Sequence, residues 1–271
     1  MNITQLKDII FSGNRAWELM YFDEVQETGK YQITFTESPD RPYLNCAHII
    51  YNLTEEDIST VEFYFSSRNE PSRIYITDLF NADFPNKLSE RLYQQIVSDE
   101  EFWYELKIDR KYNIYDYFKG PQLSLNLRQV NIHTDELDEF MALNKRCNGL
   151  SVQQVRHSLD KVRCFDNLSL DKTLDLYSIY IDNKLVATGA LTCIGDKCFF
   201  SEGATHPDYR NLGLHSVLVA HRLNICNERK KKKAYVCCDT EAYSNHTFKK
   251  FNFKHIFTRQ LWEKDLDFNG E

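Results

Sequence analysis

The chain has 271 residues, about 1.8 times a typical domain of ~150 residues, which admits two compact domains or one large one. With 42% hydrophobic, 14% aromatic and 27% charged residues, it carries enough apolar side chain for a core, which excludes a disordered, collagen-like or disulfide-scaffold chain. The formal charge is −7, but residues 1–125 hold 12 Lys and Arg against 21 Asp and Glu, while residues 126–271 hold 21 against 19. An anionic ligand is therefore expected in the second half, and a dedicated nucleic-acid binder is disfavoured.

One dense basic run, Arg229-Lys230-Lys231-Lys232-Lys233, reads as a solvated helix end in preference to a nucleic-acid patch. The eight cysteines form no Cys-x-x-Cys, so no metal is expected. The start of the chain is too interrupted for a secretory segment and no run of about 18 apolar residues occurs, which predicts reduced thiols, a cytoplasmic location and no membrane partner.

In chain order, 44–51 reads as a strand, and Glu55 to Arg68 as a helix with Ile58, Val61 and Phe65 on one face. A strand follows at 73–77, a helix over 87–97 and a strand over 102–108. Lys119-Gly120-Pro121 is the best break, giving an expected division into 1–121 and 122–271. A strand then runs from Gln122 to Val130. Thr134 caps a helix with Leu137, Phe140, Met141 and Asn144 inward, and Ser151 caps another through Val152, Val155, Leu159 and Val162. Asp182-Asn183-Lys184 joins two apolar runs as a hairpin, and Gly195-Asp196-Lys197 turns into a third strand ending at Thr205.

After that strand, His206 to His215 leads into a helix whose expected apolar face is Leu214, Val217, Leu218, His221 and Ile225. A strand over 234–238, a helix over 244–251 and a closing strand over 254–263 complete an α/β fold with a mixed sheet. The order β, α, β, α, β over 44–108 repeats that over 198–263, which suggests a duplicated and diverged unit.

Glycine is scarce, nine in all, yet Gly189, Gly195, Gly203 and Gly213 fall close together. A strand feeding a helix through Arg210-x-x-Gly213 points several backbone N–H groups at one spot, where the helix adds partial positive charge; the natural guest is a phosphate or pyrophosphate. Neither Gly-x-Gly-x-x-Gly nor Gly-Lys-Ser/Thr is present, which disfavours a dinucleotide-binding oxidoreductase and a kinase-type loop.

The stretch Ala204-Thr205-His206-Pro207-Asp208-Tyr209-Arg210-Asn211-Leu212-Gly213-Leu214-His215 resembles the GNAT acyltransferase superfamily, whose cofactor loop reads Arg/Gln-x-x-Gly-x-Gly/Ala. Ser244-Asn245-His246-Thr247-Phe248-Lys249-Lys250-Phe251-Asn252-Phe253 is similar to that family's Asn…Tyr-x-x-x-Gly-Phe ending. The resemblance covers about 127–265. It implies an acetyl-CoA-dependent N-acetyltransferase, with the pyrophosphate on the main-chain N–H groups of Asn211, Leu212, Gly213, Leu214, His215 and Ser216, and Arg210 also among the cofactor-binding residues. The pantetheine arm would run along Ala204 and Thr205, with Asn245 in reach. Three departures stand out: His215 at the last loop position, Asn252 at the usual Gly, and Phe248 where many members carry the Tyr that protonates the departing thiolate.

Glu202, on the strand before the loop, is the candidate base, and Tyr243 the candidate acid. Water is a second source of the proton, and a non-catalytic CoA-binding or regulatory module is the alternative reading. In the first half the matching position, Tyr51 to Asp57, carries three acids and no glycine, so no CoA is expected there. Thr54 with Asp57 reads as a capping box. The acidic first half would cover the acceptor cleft and points to a cationic amine acceptor, a small molecule or a peptide.

Overall fold

The computed structural model describes residues 1–37, 44–79, 83–120, 125–165 and 172–266. The chain forms two compact units. The first comprises Met1–Trp103, Cys238–Glu241 and His255–Glu271, the second Tyr104–Cys237 and Ala242–Lys254. Set beside the division into 1–121 and 122–271, the residues from Tyr104 to Gly120 group with the second unit and those from His255 onward with the first.

The first unit begins with α1 (Ile3–Glu18), held by a capping box in which Asn2 and Gln5 each accept from the other's backbone N–H. Its sheet takes β1 (Glu24–Glu27), β2 (Tyr31–Phe35), β3 (Cys46–Ile49), β4 (Ser72–Thr77), β11 (Lys254–Lys264) and β5 (Gln94–Lys107, as far as Trp103) in that spatial order. The first three strands form an antiparallel meander, β3 and β4 are parallel, and β11 runs antiparallel to β4 from Arg259↔Thr77 to Lys264↔Ser72. Between them lie α2 (Glu55–Ser66) and α3 (Asp83–Glu90). Ile58, Val61 and Phe65 of α2 are fully buried against Ile74 and Ile76 of β4, the stripe that their spacing predicts.

The helix expected over 87–97 is corrected. It ends at Glu90 because Leu92 takes a left-handed backbone (φ 68°) and the Tyr93 N–H folds back onto the Leu88 carbonyl; Gln94 already belongs to β5.

The second unit carries β6 (Asn126–Gln129), α4 (Asp135–Asn148), α5 (Val152–Cys164), β7 (Lys172–Ile181), β8 (Lys184–Ile194), β9 (Lys197–Thr205), α6 (Leu214–Glu228), β10 (Lys233–Asp239, as far as Cys237) and α7 (Ser244–Lys250). The first residues of the strand expected from Gln122 lie outside the described residues. β6 to β9 form an antiparallel meander, β9 and β10 are parallel, and Tyr104 to Lys107 of β5 flank β10. Asp182 and Asn183 both take positive φ (49° and 62°) in the two-residue hairpin between β7 and β8, the geometry that matches the right-handed twist of the strands.

Two helical faces differ from their expected stripes. α5 buries Gln154, Ser158 and Val162 while Val152 is exposed. α6 is buried nearly all round, Arg222 included, whereas His221 and Ile225 are half-buried; such a helix has no single apolar stripe to read.

The chain runs twice through the order β, α, β, α, β with the first two strands parallel, as β3-α2-β4-α3-β5 and β9-α6-β10-α7-β11. β5 passes into the second unit at Tyr104, and β11 passes into the first at His255.

Candidate functional site

In the second unit β9 and β10 hold register from Lys197↔Lys233 to Phe200↔Val236, and β9 continues beyond that to Thr205. Its other edge carries a bulge. Pairing to β8 jumps from Ala190↔Ser201 to Thr188↔Ala204, so Glu202 and Gly203 together oppose Gly189, and Glu202 takes a φ of 53°. A bulge of this kind leaves a residue out of the ladder and re-aims the main chain.

The bulge is held from below by Arg222, 1% exposed, whose Nη1 donates to the carbonyls of Ala190 (2.8 Å) and Ser201 (3.2 Å) while its guanidinium covers Phe200. Burial pulls its pKa down to about 10, which leaves it charged at neutral pH. Gly189 has to be small, because a Cβ there would come within 3.1 Å of Arg222 Cζ.

Beyond β9, His206 accepts the Asp208 N–H on Nδ1 and so caps a 3₁₀ turn, Pro207–Tyr209. Asn211 (φ 66°) and Gly213 (φ 82°) then turn the chain into α6. Gly213 is the N-cap and has no side chain with which to cap, so the first backbone donors of α6, on Leu214, His215 and Ser216, are left for another acceptor. A segment far away in sequence braces this entrance. Lys119 N–H donates to the Leu212 carbonyl, Asn224 exchanges two hydrogen bonds of 2.8 Å with the backbone of Tyr112, and the Tyr117 ring stacks on Phe251 at 4.6 Å.

Bulge, loop and α7 enclose a cleft of about 730 Å³. Of the residues singled out by sequence, Ala204, Thr205, Arg210, Asn211, Gly213, Leu214, His215, Ser216 and Tyr243 line it. Glu202, Leu212 and Asn245 do not. Glu202 sits in the bulge, Asn245 is buried in α7, and Tyr243 is 77% exposed at the rim, its ring 5.6 Å from that of His246. Sequence reading missed Tyr117, Lys119 and Lys250, because nothing local to them signals a site. The lining carries three full cations, Lys119, Arg210 and Lys250, and no carboxylate, an arrangement suited to a polyanion.

His215 does not lie along the outer loop. Its ring turns inward, its Nε2 3.1 Å from where a Gly203 Cβ would stand, and it makes a T-shaped contact with Phe248, ring centres 5.6 Å apart. Burial and the nearby Arg222 charge lower its pKa to about 3, so the imidazole is neutral at physiological pH. Phe248 is itself buried among Tyr104 and Phe253.

The first unit repeats the strand-to-helix step without the site. Thr54 Oγ1 accepts from Asp57 N–H and Asp57 accepts in return from Thr54, while Lys30 pairs with Asp57 at 2.5 Å. The α2 entrance is thus filled by its own carboxylate. In the basic run, Arg229 pairs with Asp175, and Lys233 with Glu105. The eight cysteines are free thiols. No helix among the described residues is long and apolar enough to cross a membrane.

No protein-family model matches the chain, and no curated protein matches it in sequence. Its fold matches solved structures. A GCN5-related N-acetyltransferase from Kribbella flavida superposes with a TM-score of 0.66 at 13% identity, over 94% of each chain. One from Sphaerobacter thermophilus gives 0.65 at 11% identity, over 93% of this chain and 86% of that one. A tandem GNAT protein of the clavulanic acid biosynthesis pathway gives 0.60 at 10% identity, over 88% of this chain and 80% of that one.

Proposed function

We propose that this chain, which has the GNAT fold, uses the cleft of its second unit to transfer an acetyl group from acetyl-CoA to a primary amine. The observation that carries the reading is the cleft itself. An uncapped helix entrance and three cations, with no acid in the lining, stand at one end of an extended strand whose bulge opens beside Gly203. A phosphorylated donor fits these residues. Its pyrophosphate would take the N–H groups of Leu214, His215 and Ser216, with Arg210 and Lys119 for charge, and its pantetheine arm would follow Ala204 and Thr205.

The amine would attack the thioester carbonyl directly, with main-chain N–H at the bulge to hold the developing oxyanion. The free thiols agree with a cytoplasmic setting. The surplus of carboxylates over residues 1–125 favours a cationic acceptor such as a polyamine, an aminoglycoside or a basic peptide terminus.

Calorimetry with acetyl-CoA should give one site per chain, because the α2 entrance of the first unit is closed by Asp57. Two sites, or none, would overturn the reading. A non-catalytic CoA-binding module is the competing reading, favoured by the buried phenyl ring of Phe248. Thiol release from acetyl-CoA in the presence of an amine panel separates the two: binding without turnover of any amine selects the module.

A further inference from the structure

The geometry points to His215 as the residue that moves the proton in this cleft, taking it from the attacking amine and delivering it to the departing sulfur. This rests on the acetyl-transfer reading.

Amide formation from a thioester needs a proton acceptor and a proton donor next to the reacting carbon. The titratable groups lining the cleft divide by position. Tyr243 and His246 are exposed at the rim, and the Tyr117 ring is stacked on Phe251 by the bracing segment. Tyr209 packs at right angles to His206, with Lys184 over its ring. The Cys147 thiol reaches the Thr205 carbonyl, and burial raises its pKa. His215 alone in this set reaches the bulge, with its Nε2 against Gly203.

Gly203 and His215 are complementary. A side chain at 203 would press on the imidazole at 3.1 Å, so the missing Cβ is what admits the ring to the bulge. Its other neighbour, the Phe248 ring, offers no hydrogen bond. The ring is half-buried and lines the cleft. Nothing in its contacts explains an imidazole there on packing grounds, whereas a neutral ring that brings a nitrogen to the bulge of the cleft has a chemical use.

The step balances as follows. The amine nitrogen's lone pair forms the new C–N bond, and the C–S bond breaks with its pair left on sulfur. The amine's proton passes to Nε2 of the Nδ1–H tautomer, and the same proton then goes to sulfur. The products are the amide and the CoA thiol, and the ring returns neutral. Burial and the Arg222 charge disfavour the imidazolium, which hinders proton pickup from the amine and drives the second half of the relay, delivery to sulfur.

The test measures CoA affinity by calorimetry and steady-state thiol release with a panel of spermidine, an aminoglycoside and a lysine-rich peptide, for the wild type, His215→Ala and His215→Gln. The expected result is a loss of about 100-fold or more in kcat in both variants, acetyl-CoA affinity within about threefold of wild type, and partial recovery of His215→Ala by added imidazole. If one variant misfolds, the other carries the comparison. Unchanged kcat, or lost CoA affinity with kcat preserved, overturns the assignment of His215 and leaves the acetyl-transfer reading standing. A wild-type chain that binds no CoA, or binds it and acetylates no amine, removes both.

Discussion

Arg259 donates through Nη1 to Nδ1 of His48 at 2.8 Å, with both side chains at most 2% exposed in the first unit. Because a guanidinium has no acceptor, Nδ1 must accept, so the imidazole proton sits on Nε2 and is donated to Thr34 Oγ1 at 3.1 Å. Burial and the Arg259 charge hold the His48 pKa well below its usual 6.5. As pH falls through 6.5, the unfolded chain takes up a proton that the folded chain refuses, so stability should fall with decreasing pH. The contribution of His48 is about 1.4 kcal/mol per pH unit below ~6. Trp17, Trp103 and Trp262 all lie in the first unit, so tryptophan fluorescence during urea unfolding reads this unit. A wild-type slope that His48→Gln leaves unchanged would show that the imidazole is not buried neutral.

The same guanidinium is held on its other side by Glu101, whose Oε2 accepts from Nε at 3.0 Å and Nη2 at 2.5 Å, while Tyr75, Trp103 and Trp17 surround it. Removing one partner of such a pair strands the other charge in the core. Glu101→Gln should therefore cost about 3–5 kcal/mol in urea unfolding. Glu101→Gln with Arg259→Met should recover much of the loss, since an apolar replacement of the whole pair carries no stranded charge. A double variant as unstable as Glu101→Gln would contradict this account.

What sequence reveals here is what local chemistry decides. The Thr54–Asp57 capping box, the Asp182-Asn183 hairpin and the turn at Gly213 each depend on residues within a few positions of one another, and all three form as their residue types predict. The end of α3 did not show, because Leu92 is an ordinary helix former until packing asks it for a left-handed backbone. Nor did the buried cations Arg222 and Arg259, whose partners are carbonyls and a carboxylate on distant strands. The cleft divides in the same way. Arg210 to Ser216 was legible as one continuous motif, whereas Tyr117 and Lys119 arrive from residues that only the tertiary fold brings to α6. The points at which β5 and β11 divide between the units are likewise invisible to periodicity, since the alternation of a strand does not report which residues it packs among.

Gly213 is fixed by two constraints at once. Its φ of 82° disfavours any side chain, and a Cβ would stand 1.9 Å from the Tyr117 carbonyl oxygen, a backbone atom braced through Lys119 and Leu212. Gly213→Ala should cost at least about 1–3 kcal/mol in thermal unfolding followed by circular dichroism, and should weaken CoA binding by tenfold or more as the α6 entrance shifts. Asn211→Ala meets only the backbone preference of a left-handed residue (φ 66°) and should cost about 1–2 kcal/mol at most. Equal losses at the two positions would mean that the Tyr117 contact contributes nothing.

The bulge of β9 is set by Gly189 and Arg222 acting together. Adding a Cβ at 189 presses on Arg222 Cζ, Nη1 and Nη2 at 3.1, 3.3 and 3.4 Å, and the guanidinium has little room to retreat while Nη1 holds the Ala190 and Ser201 carbonyls. Gly189→Ala should therefore cost about 1–3 kcal/mol by overpacking, and Arg222→Met about 1–3 kcal/mol from the carbonyls left without a donor. With the guanidinium gone, the added methyl has nothing rigid to strike, so Gly189→Ala should cost at least about 0.5 kcal/mol less in the Arg222→Met background. Thermal unfolding of the four proteins in this cycle measures that difference. Strict additivity would show that the strand spacing at Gly189, and not the guanidinium, excludes a side chain there.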